Sequence, residues 1–189
     1  WAGWFGFNAG SSYEASARAA GALLATQLAA GAGSLCWGVV EMFRRQQMSV
    51  LGMATGAIAG LIAVTPASGY VGVGGALSIG AIAGVVCFAV VTTFKHFTRI
   101  DDSLDVFALH GVGGVVGTVL TPIFALKAIA PVTADIATNA LGAAAVMAYT
   151  GLMTWGILKA LDFIAGLRVN ARDEHVGLDL SQHGESLAS

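Results

Sequence analysis

Charged side chains are scarce in this sequence. Lysine, arginine, aspartate and glutamate make up 11% of its 189 residues, whereas a soluble domain normally carries about 25%. Hydrophobic residues account for 56% of the chain, so too little polar surface remains to face water. A soluble globular enzyme is therefore disfavoured, and a net charge of -2 leaves no basic surface for nucleic acid.

Cysteine and proline are also rare, with two and three residues respectively. Cys36 and Cys87 both lie within apolar runs, which indicates small buried side chains rather than a disulfide or a zinc pair. The sequence contains no pattern that resembles a hydrolytic triad or a metal cluster. We therefore expect no enzymatic activity, no cofactor and no metal.

Long apolar runs are abundant instead. A helix needs about 20 mostly apolar residues to cross the hydrocarbon core of a membrane. The candidate spans are residues 17–43, 50–65, 71–94, 105–125 and 138–167. The second span is short, and Pro66 matches its end because proline disfavours helix at the residue before it. The sequence predicts an all-α integral membrane protein, with a transmembrane domain over residues 1–167.

Basic residues between the spans predict the orientation of the chain. Those that follow the first, third and fifth spans are Arg44, Arg45, Lys95, Arg99, Arg168 and Arg172. The alternate loops are nearly uncharged apart from Lys127 and Asp135. The positive-inside rule makes the basic side cytoplasmic. We expect a multi-pass protein of the inner (plasma) membrane, with residues 9–16 outside and residues 168–189 as a cytoplasmic tail.

The apolar stretch that opens the chain at Trp1 is too short to cross a membrane. It carries no basic leader followed by the apolar core of a signal peptide. We expect the sequence to begin within a helix, with further spans upstream or in another chain.

Glycine occurs 26 times, mostly within the spans. Small residues spaced four apart let membrane helices approach closely. This spacing is found at Gly52-Gly56-Gly60, Gly80-Gly84 and Gly113-Gly117. The pattern predicts helix packing surfaces, with lining of a pore as the alternative.

His110 is a titratable residue inside the apolar run 105–125. The preceding DDSLDVF is typical of a helix start at which Asp101, Asp102 and Asp105 cap N–H groups, with ion binding as the alternative. His110 would then lie about eight residues, or on the order of 12 Å, into the helix. It would share a face with the glycines at 113, 114 and 117.

An ionisable group at this depth usually faces the interior of a helix bundle and marks a transport pathway. The structural alternative to a transport role is that His110 makes a single hydrogen bond that joins two helices. Desolvation disfavours the charged form of His110, so we expect a neutral ring. Such a ring has one donor and one acceptor nitrogen, which suits a small solute that both donates and accepts hydrogen bonds.

The first residues, WAGWFGFNAGSS, form an aromatic cluster. Trp4 and Phe7 are three residues apart and share a helix face, with Asn8 and Ser11 one turn further on. The cluster is compatible with an aromatic belt at the membrane interface. It is equally compatible with a site whose aromatic faces attract a cation.

Four segments resemble a known family: WFGFNAGS at 4–11, GAIAGLIAVTPASGYVGVGGAL at 56–77, DDSLDVFALHGVGGVVG at 101–117, and GLRV at 166–169 with GLDLSQHGES at 177–186. They are similar to the second half of the ammonium transporter family (Amt, MEP and Rh), and closer to its bacterial Amt branch than to Rh. The resemblance implies an eleven-helix protomer built from two inverted halves and assembled as a homotrimer with one pore per protomer. The present chain would be its C-terminal portion, with the N-terminal half of the same protein as a partner.

The resemblance also implies residue roles. Phe7 resembles the second of two stacked gate phenylalanines, and Trp4 a tryptophan that lines the pore. Ser11 resembles the serine of the outer ammonium-recruitment site. His110 resembles the second of two paired pore histidines, and Val106 the apolar pore residue one turn below it. The first histidine and the first gate phenylalanine would lie upstream.

The function implied by the resemblance is transport of ammonium or ammonia through a narrow hydrophobic pore. Ammonium would be recruited outside and deprotonated, and ammonia would pass along the paired histidines. The alternatives are a neutral gas channel of the Rh type, an ammonium sensor that signals through a partner, and an unrelated inverted-repeat transporter with His110 in a proton relay.

The tail resemblance implies a PII-family (GlnK-type) signalling protein as a partner on the cytoplasmic face. The alternative is a tail that packs against its own trimer.

Overall fold

The computed structural model describes residues 1–98, 100, 102–129 and 135–186, with the backbone alone at positions 95 and 96. Arg99 and Asp101, for which the sequence predicts roles, lie outside the described residues. The helices are α1 (Ala2–Gly10), α2 (Ala17–Arg45), α3 (Val50–Val64), α4 (Val73–Phe97), α5 (Gly113–Phe124), α6 (Ile136–Ala165) and α7 (Ala171–Val176). A π-helical turn, Phe107–Val112, runs into α5, and a second one, Asp179–His183, follows α7.

Four stretches of helix are long and apolar enough to cross a membrane. They are Ala17–Arg45, Val73–Phe94, Phe107–Phe124 and Ile136–Ala165. The helix α3 is apolar but has only 15 residues, or about 22 Å of length, against a hydrocarbon core of about 30 Å. The predicted apolar spans are therefore all helical, and four of the five reach full membrane length in the described part of the chain.

Local side-chain signals determine where the helices begin and end. The hydroxyl of Ser16 accepts a hydrogen bond from the backbone N–H of Ala19 at the start of α2 (3.3 Å). The Ser49 hydroxyl accepts from the N–H of Gly52 at the start of α3 (2.9 Å). Both are N-caps, which satisfy N–H groups that have no partner within the helix. Gln46 ends α2 in the left-handed conformation with a φ of 58°.

Glycine brings α2, α3 and α4 into backbone contact. A Cβ atom on Gly60 of α3 or on Gly80 of α4 would collide with the backbone of Ala29 in α2. A Cβ atom on Gly84 would lie 2.5 Å from the carbonyl oxygen of Gly33. The predicted packing role is confirmed for the glycines that have no room for a side chain, which are Gly52, Gly56, Gly60, Gly80, Gly84 and Gly117.

The two cysteines are free thiols. Cys87 is fully buried in the core formed by α2, α3 and α4, as its apolar surroundings predict. Cys36 is half-buried, so the prediction of a buried thiol holds for Cys87 alone.

The chain divides into two compact units, Trp1–Ala143 and Ala144–Ser189. The second unit contains most of α6 together with α7. Within it, the side-chain oxygen of Asn170 accepts from the backbone N–H of Asp173 (2.9 Å) and so caps α7. The guanidinium of Arg168 donates two hydrogen bonds to the Glu174 carboxylate, at 3.1 and 2.5 Å. The tail is therefore locally ordered by its own polar residues.

The two glycines Gly80 and Gly74 of α4 test the packing directly. Gly80→Ala should lower the free energy of unfolding by about 1–3 kcal/mol, because its methyl group has no room beside Ala29. Gly74→Ala is the matched control, since nothing lies within 4 Å of a Cβ there. Denaturation of both variants in detergent measures the difference, and equal stability of the two would contradict the packing role.

Candidate functional site

A cavity of about 780 Å³ lies between α1, the C-terminal end of α3 and the helix that carries His110. Its volume lies within the range of small-molecule sites in proteins. It is lined by Trp1, Gly3, Trp4, Phe7, Ile62, Thr65, Pro66, His110, Gly114 and Thr118. Three residues that the sequence singled out from distant segments, Trp4, Phe7 and His110, therefore line one space.

The aromatic wall of this cavity is formed by Trp4 and Phe7 of α1. Their rings meet edge to face with 6.5 Å between the centroids. The indole N–H of Trp4 donates to the hydroxyl oxygen of Thr65 (2.8 Å). The Thr65 hydroxyl donates in turn to the backbone carbonyl of Leu61 (2.7 Å). A hydrogen bond to α3 thus connects the wall to the rest of the bundle, while Phe7 is 62% exposed.

The helix that carries His110 begins later than the sequence predicts. His110 is the fourth residue of the span Phe107–Phe124, so it lies about 5 Å from the start of that helix, and the predicted depth of about 12 Å is wrong. The reason lies in the preceding residues. Asp105 is left-handed with a φ of 56°, and the Asp102 carboxylate accepts from the N–H groups of Val106 (2.8 Å) and Phe107 (2.9 Å).

The face that His110 presents to the cavity continues through Gly114 and Thr118. Gly113 and Gly117, predicted on the same face, instead pack against α3 and α4. The glycines beside His110 therefore admit both neighbouring helices and the cavity, as the sequence predicts for small residues on this face. His110 itself lies in the π-helical turn, a rare geometry that often occurs at functional sites.

Ser11 and Val106 do not line this cavity. The Ser11 hydroxyl donates to the backbone carbonyl of Phe7 (2.8 Å), so Ser11 lies one helical turn beyond the aromatic wall. Val106 is half-exposed at the beginning of the π-helical turn. The structure therefore brings together three of the five predicted binding or pore residues in one space and leaves these two at its margins.

Asn8 is a buried residue whose role the sequence did not show. Its side-chain amide donates to the Thr26 hydroxyl of α2 (2.9 Å), and Thr26 donates to the carbonyl of Ala22 (2.6 Å). Asn8 is only 4% exposed, so it faces α2 rather than the face of Trp4 and Phe7. In the sequence, the feature that could have identified this buried role was a polar residue within an apolar helix.

Glu41 is a second buried residue that sequence reasoning missed. Its carboxylate accepts from the backbone N–H (3.0 Å) and the hydroxyl (3.0 Å) of Ser49 and lies 3.5 Å from the Arg45 guanidinium. A buried charge needs such partners because desolvation is unfavourable. Together with Asp105 it lines a smaller cavity of about 400 Å³. In the sequence, the feature that could have identified Glu41 was a lone acidic residue within an apolar span.

Comparison with known proteins identifies the family. The profile of the Ammonium Transporter Family matches residues 1–187. The ammonium transporter Amt1 of Archaeoglobus fulgidus is 41% identical over 98% of this chain and 49% of its own length. The chain spans about half the length of the curated relatives it matches.

Two solved structures are similar to the fold. The crystal structure of Candida albicans Mep2 gives a TM-score of 0.83, with 36% identity over 90% of this chain and 41% of that chain. A structure described as "Sensor Amt Protein" gives a TM-score of 0.89, with 29% identity over 95% of this chain and 46% of that chain. On the strength of the profile match and the relatives, the chain belongs to the ammonium transporter family.

Proposed function

We propose that the complete protein transports ammonium across the membrane and that the 780 Å³ cavity is part of the path. The observation that supports the proposal most strongly is that Trp4, Phe7 and His110 line one space. These are the residues that resemble the pore tryptophan, the gate phenylalanine and a pore histidine of the family. Membership of the family supports ammonium as the substrate, and the cavity is large enough to hold it.

The aromatic wall would attract the ammonium cation. The face of an aromatic ring carries partial negative charge, and a cation above it gains about 0.5–2 kcal/mol depending on desolvation. Trp4 and Phe7 offer such faces, and the Ser11 hydroxyl, one turn away, offers an oxygen that accepts hydrogen bonds. We infer that this end of α1 recruits ammonium from outside.

Deprotonation would allow the solute to pass. A full charge in an apolar space is costly by several kcal/mol even after relaxation, whereas ammonia is neutral. A neutral imidazole at His110 provides one donor and one acceptor, which ammonia can satisfy in turn. A second imidazole from the upstream half would complete the pair that the family resemblance implies.

The orientation and assembly belong to the same proposal. We place the protein in the inner (plasma) membrane as a homotrimer, with the tail cytoplasmic. Arg44 and Arg45 in the last turn of α2 support the cytoplasmic side under the positive-inside rule.

His110→Ala in the complete protein tests the transport path. Flux of ammonium into proteoliposomes should fall by about two- to tenfold, because loss of a hydrogen bond between neutral groups costs about 0.5–1.5 kcal/mol. The alternative expected result is a loss of discrimination between ammonium and potassium. His175→Ala, in the exposed tail, is the control. Unchanged flux and selectivity of His110→Ala would exclude the path.

Gly114 provides a steric test of the same cavity. Nothing lies within 4 Å of a Cβ placed on this lining residue, so Gly114→Leu should place its side chain in the cavity, one helical turn from His110, without disturbing the packing. We expect ammonium flux to fall to the level of empty vesicles while the protein remains folded. Gly74→Leu, also open at its Cβ, should conduct normally. A conducting Gly114→Leu protein would place the path elsewhere.

A PII-family protein is the proposed cytoplasmic partner. The tail motif resembles that of bacterial members, and the ion pair of Arg168 with Glu174 gives the tail a defined local structure. Deletion of the tail after Leu167 should abolish capture of a PII protein by the membrane-embedded complete protein. Undiminished capture in a pull-down would favour the alternative, a tail that packs only against its own trimer.

Sensing is a second candidate function, favoured by the TM-score of 0.89 with the structure described as "Sensor Amt Protein". A sensor binds ammonium but conducts little, whereas a transporter fills vesicles. The ammonium flux of the wild-type protein in proteoliposomes separates the two. We expect flux well above that of empty vesicles, and binding without flux would establish the sensor.

A further inference from the structure

Thr65 stands at the point where α1 meets the end of α3. It follows the last residue of α3 and lines the cavity beside Trp4. Its hydroxyl oxygen accepts the indole N–H of Trp4 at 2.8 Å, and the same hydroxyl donates to the carbonyl of Leu61 at 2.7 Å. Because the hydroxyl proton is engaged by Leu61, the oxygen is left as an acceptor that faces the indole.

We propose that Thr65 is a positioning residue, which holds the Trp4 ring in the orientation that forms the cavity wall. The inference rests on the proposed transport function, because the ring is significant for flux only if the cavity is the path. Thr65 acts through Trp4 rather than through the solute. Its removal should therefore change the aromatic wall while the imidazole of His110 remains in place.

The short helix α1 explains why Trp4 needs this contact. It has nine residues, and isolated helices shorter than about 12–15 residues are marginal on their own. Among the residues that the structure describes, two side-chain hydrogen bonds join α1 to its neighbours, one from Asn8 to Thr26 in α2 and one from Trp4 to Thr65. The bond from Asn8 leaves the cavity face untouched, so the bond to Thr65 is the one that orients the wall.

The effect also extends to Phe7. Its ring meets the Trp4 ring edge to face, and such pairs prefer defined mutual orientations. Rotation of an indole that has lost its acceptor would therefore change the position of the exposed Phe7 ring. We therefore expect selection among cations of different size to change with the positions of both rings.

The Thr65→Val variant removes the acceptor and nearly preserves the size of the side chain. Thr65→Ser keeps the hydroxyl and should restore the wild-type behaviour. Thr93→Val is the matched control, because the Thr93 hydroxyl also donates to a carbonyl of its own helix, that of Ala89 at 2.7 Å, and belongs to α4 away from this cavity. A loss of uptake shared by Thr65→Val and Thr93→Val would indicate only a general effect of removing a hydroxyl from a helix.

A spectroscopic measurement tests the hydrogen bond without any transport assay. Ultraviolet resonance Raman bands of tryptophan report hydrogen bonding of the indole N–H. In the complete protein, the difference spectrum of wild type minus Thr65→Val should show the loss of one hydrogen-bonded indole. Thr65→Ser and Thr93→Val should show no such loss. An unchanged spectrum for Thr65→Val would overturn the proposal, whatever the transport data show.

Ammonium and methylammonium uptake in proteoliposomes tests the consequence. Thr65→Val should change the apparent KM for ammonium, or the ratio of the two uptake rates, by about fivefold, the effect of one neutral hydrogen bond. Thr65→Ser and Thr93→Val should remain near wild type. A Thr65→Val protein with a changed Raman spectrum but wild-type uptake would overturn the positioning role, as would a Thr65→Ser protein as impaired as Thr65→Val.

A second substitution keeps the test valid if Thr65→Val does not fold. Replacement of Trp4 by the benzothienyl analogue of tryptophan exchanges the N–H for sulfur at nearly constant size. It should reproduce the fivefold change, and wild-type uptake would overturn the proposal. The proposed function fails separately, through an unaffected His110→Ala protein, so the two failures are distinguishable.

Discussion

The backbone contact among α2, α3 and α4 is the constraint on which the first unit depends. Lipid tails are as apolar as leucine, so the hydrophobic effect does not drive membrane helices together, and close van der Waals packing takes its place. Ala29 in the middle of α2 touches both Gly60 of α3 and Gly80 of α4. One short stretch of α2 thus fixes how both helices cross it, because no side chain separates the backbones.

The same packing determines where the cavity residues lie. Gly117 rests against the backbone of Ala63 in α3, which orients the helix so that His110, Gly114 and Thr118 face the cavity. Thr65, which follows the last residue of α3 and lies two residues after Ala63, accepts a hydrogen bond from the Trp4 indole. One helix therefore positions both the imidazole side and the aromatic side of the cavity.

Much of the fold could be predicted because its signals are local. Apolar length identified the helices, and glycine spacing identified the contacts of Gly60 and Gly80. The start of the helix before His110 was misplaced, because the carboxylate of Asp102 reaches forward to the N–H groups of the helix over a left-handed Asp105. A run of acidic residues indicates that a helix begins nearby, but it does not reveal at which residue the helix begins.

The polar contacts between helices were beyond sequence reasoning for a different reason. Asn8 has its partner on α2, and Glu41 is satisfied by Ser49 beyond the end of its own helix. Periodicity identifies the face of a single helix but not the residue that meets it from another. The resemblance to the family suggested roles for Trp4, Phe7 and His110, and their placement on one cavity required the tertiary structure.

An experimental structure of the complete protein in a lipid bilayer with ammonium present would show directly whether the cavity beside His110 is the transport path. We expect a narrow space beside the His110 ring, bounded by Trp4 and Phe7, that holds a solute within hydrogen-bond distance of the imidazole. A His110 ring that faces lipid, or a cavity filled by side chains from the rest of the protein, would contradict this expectation.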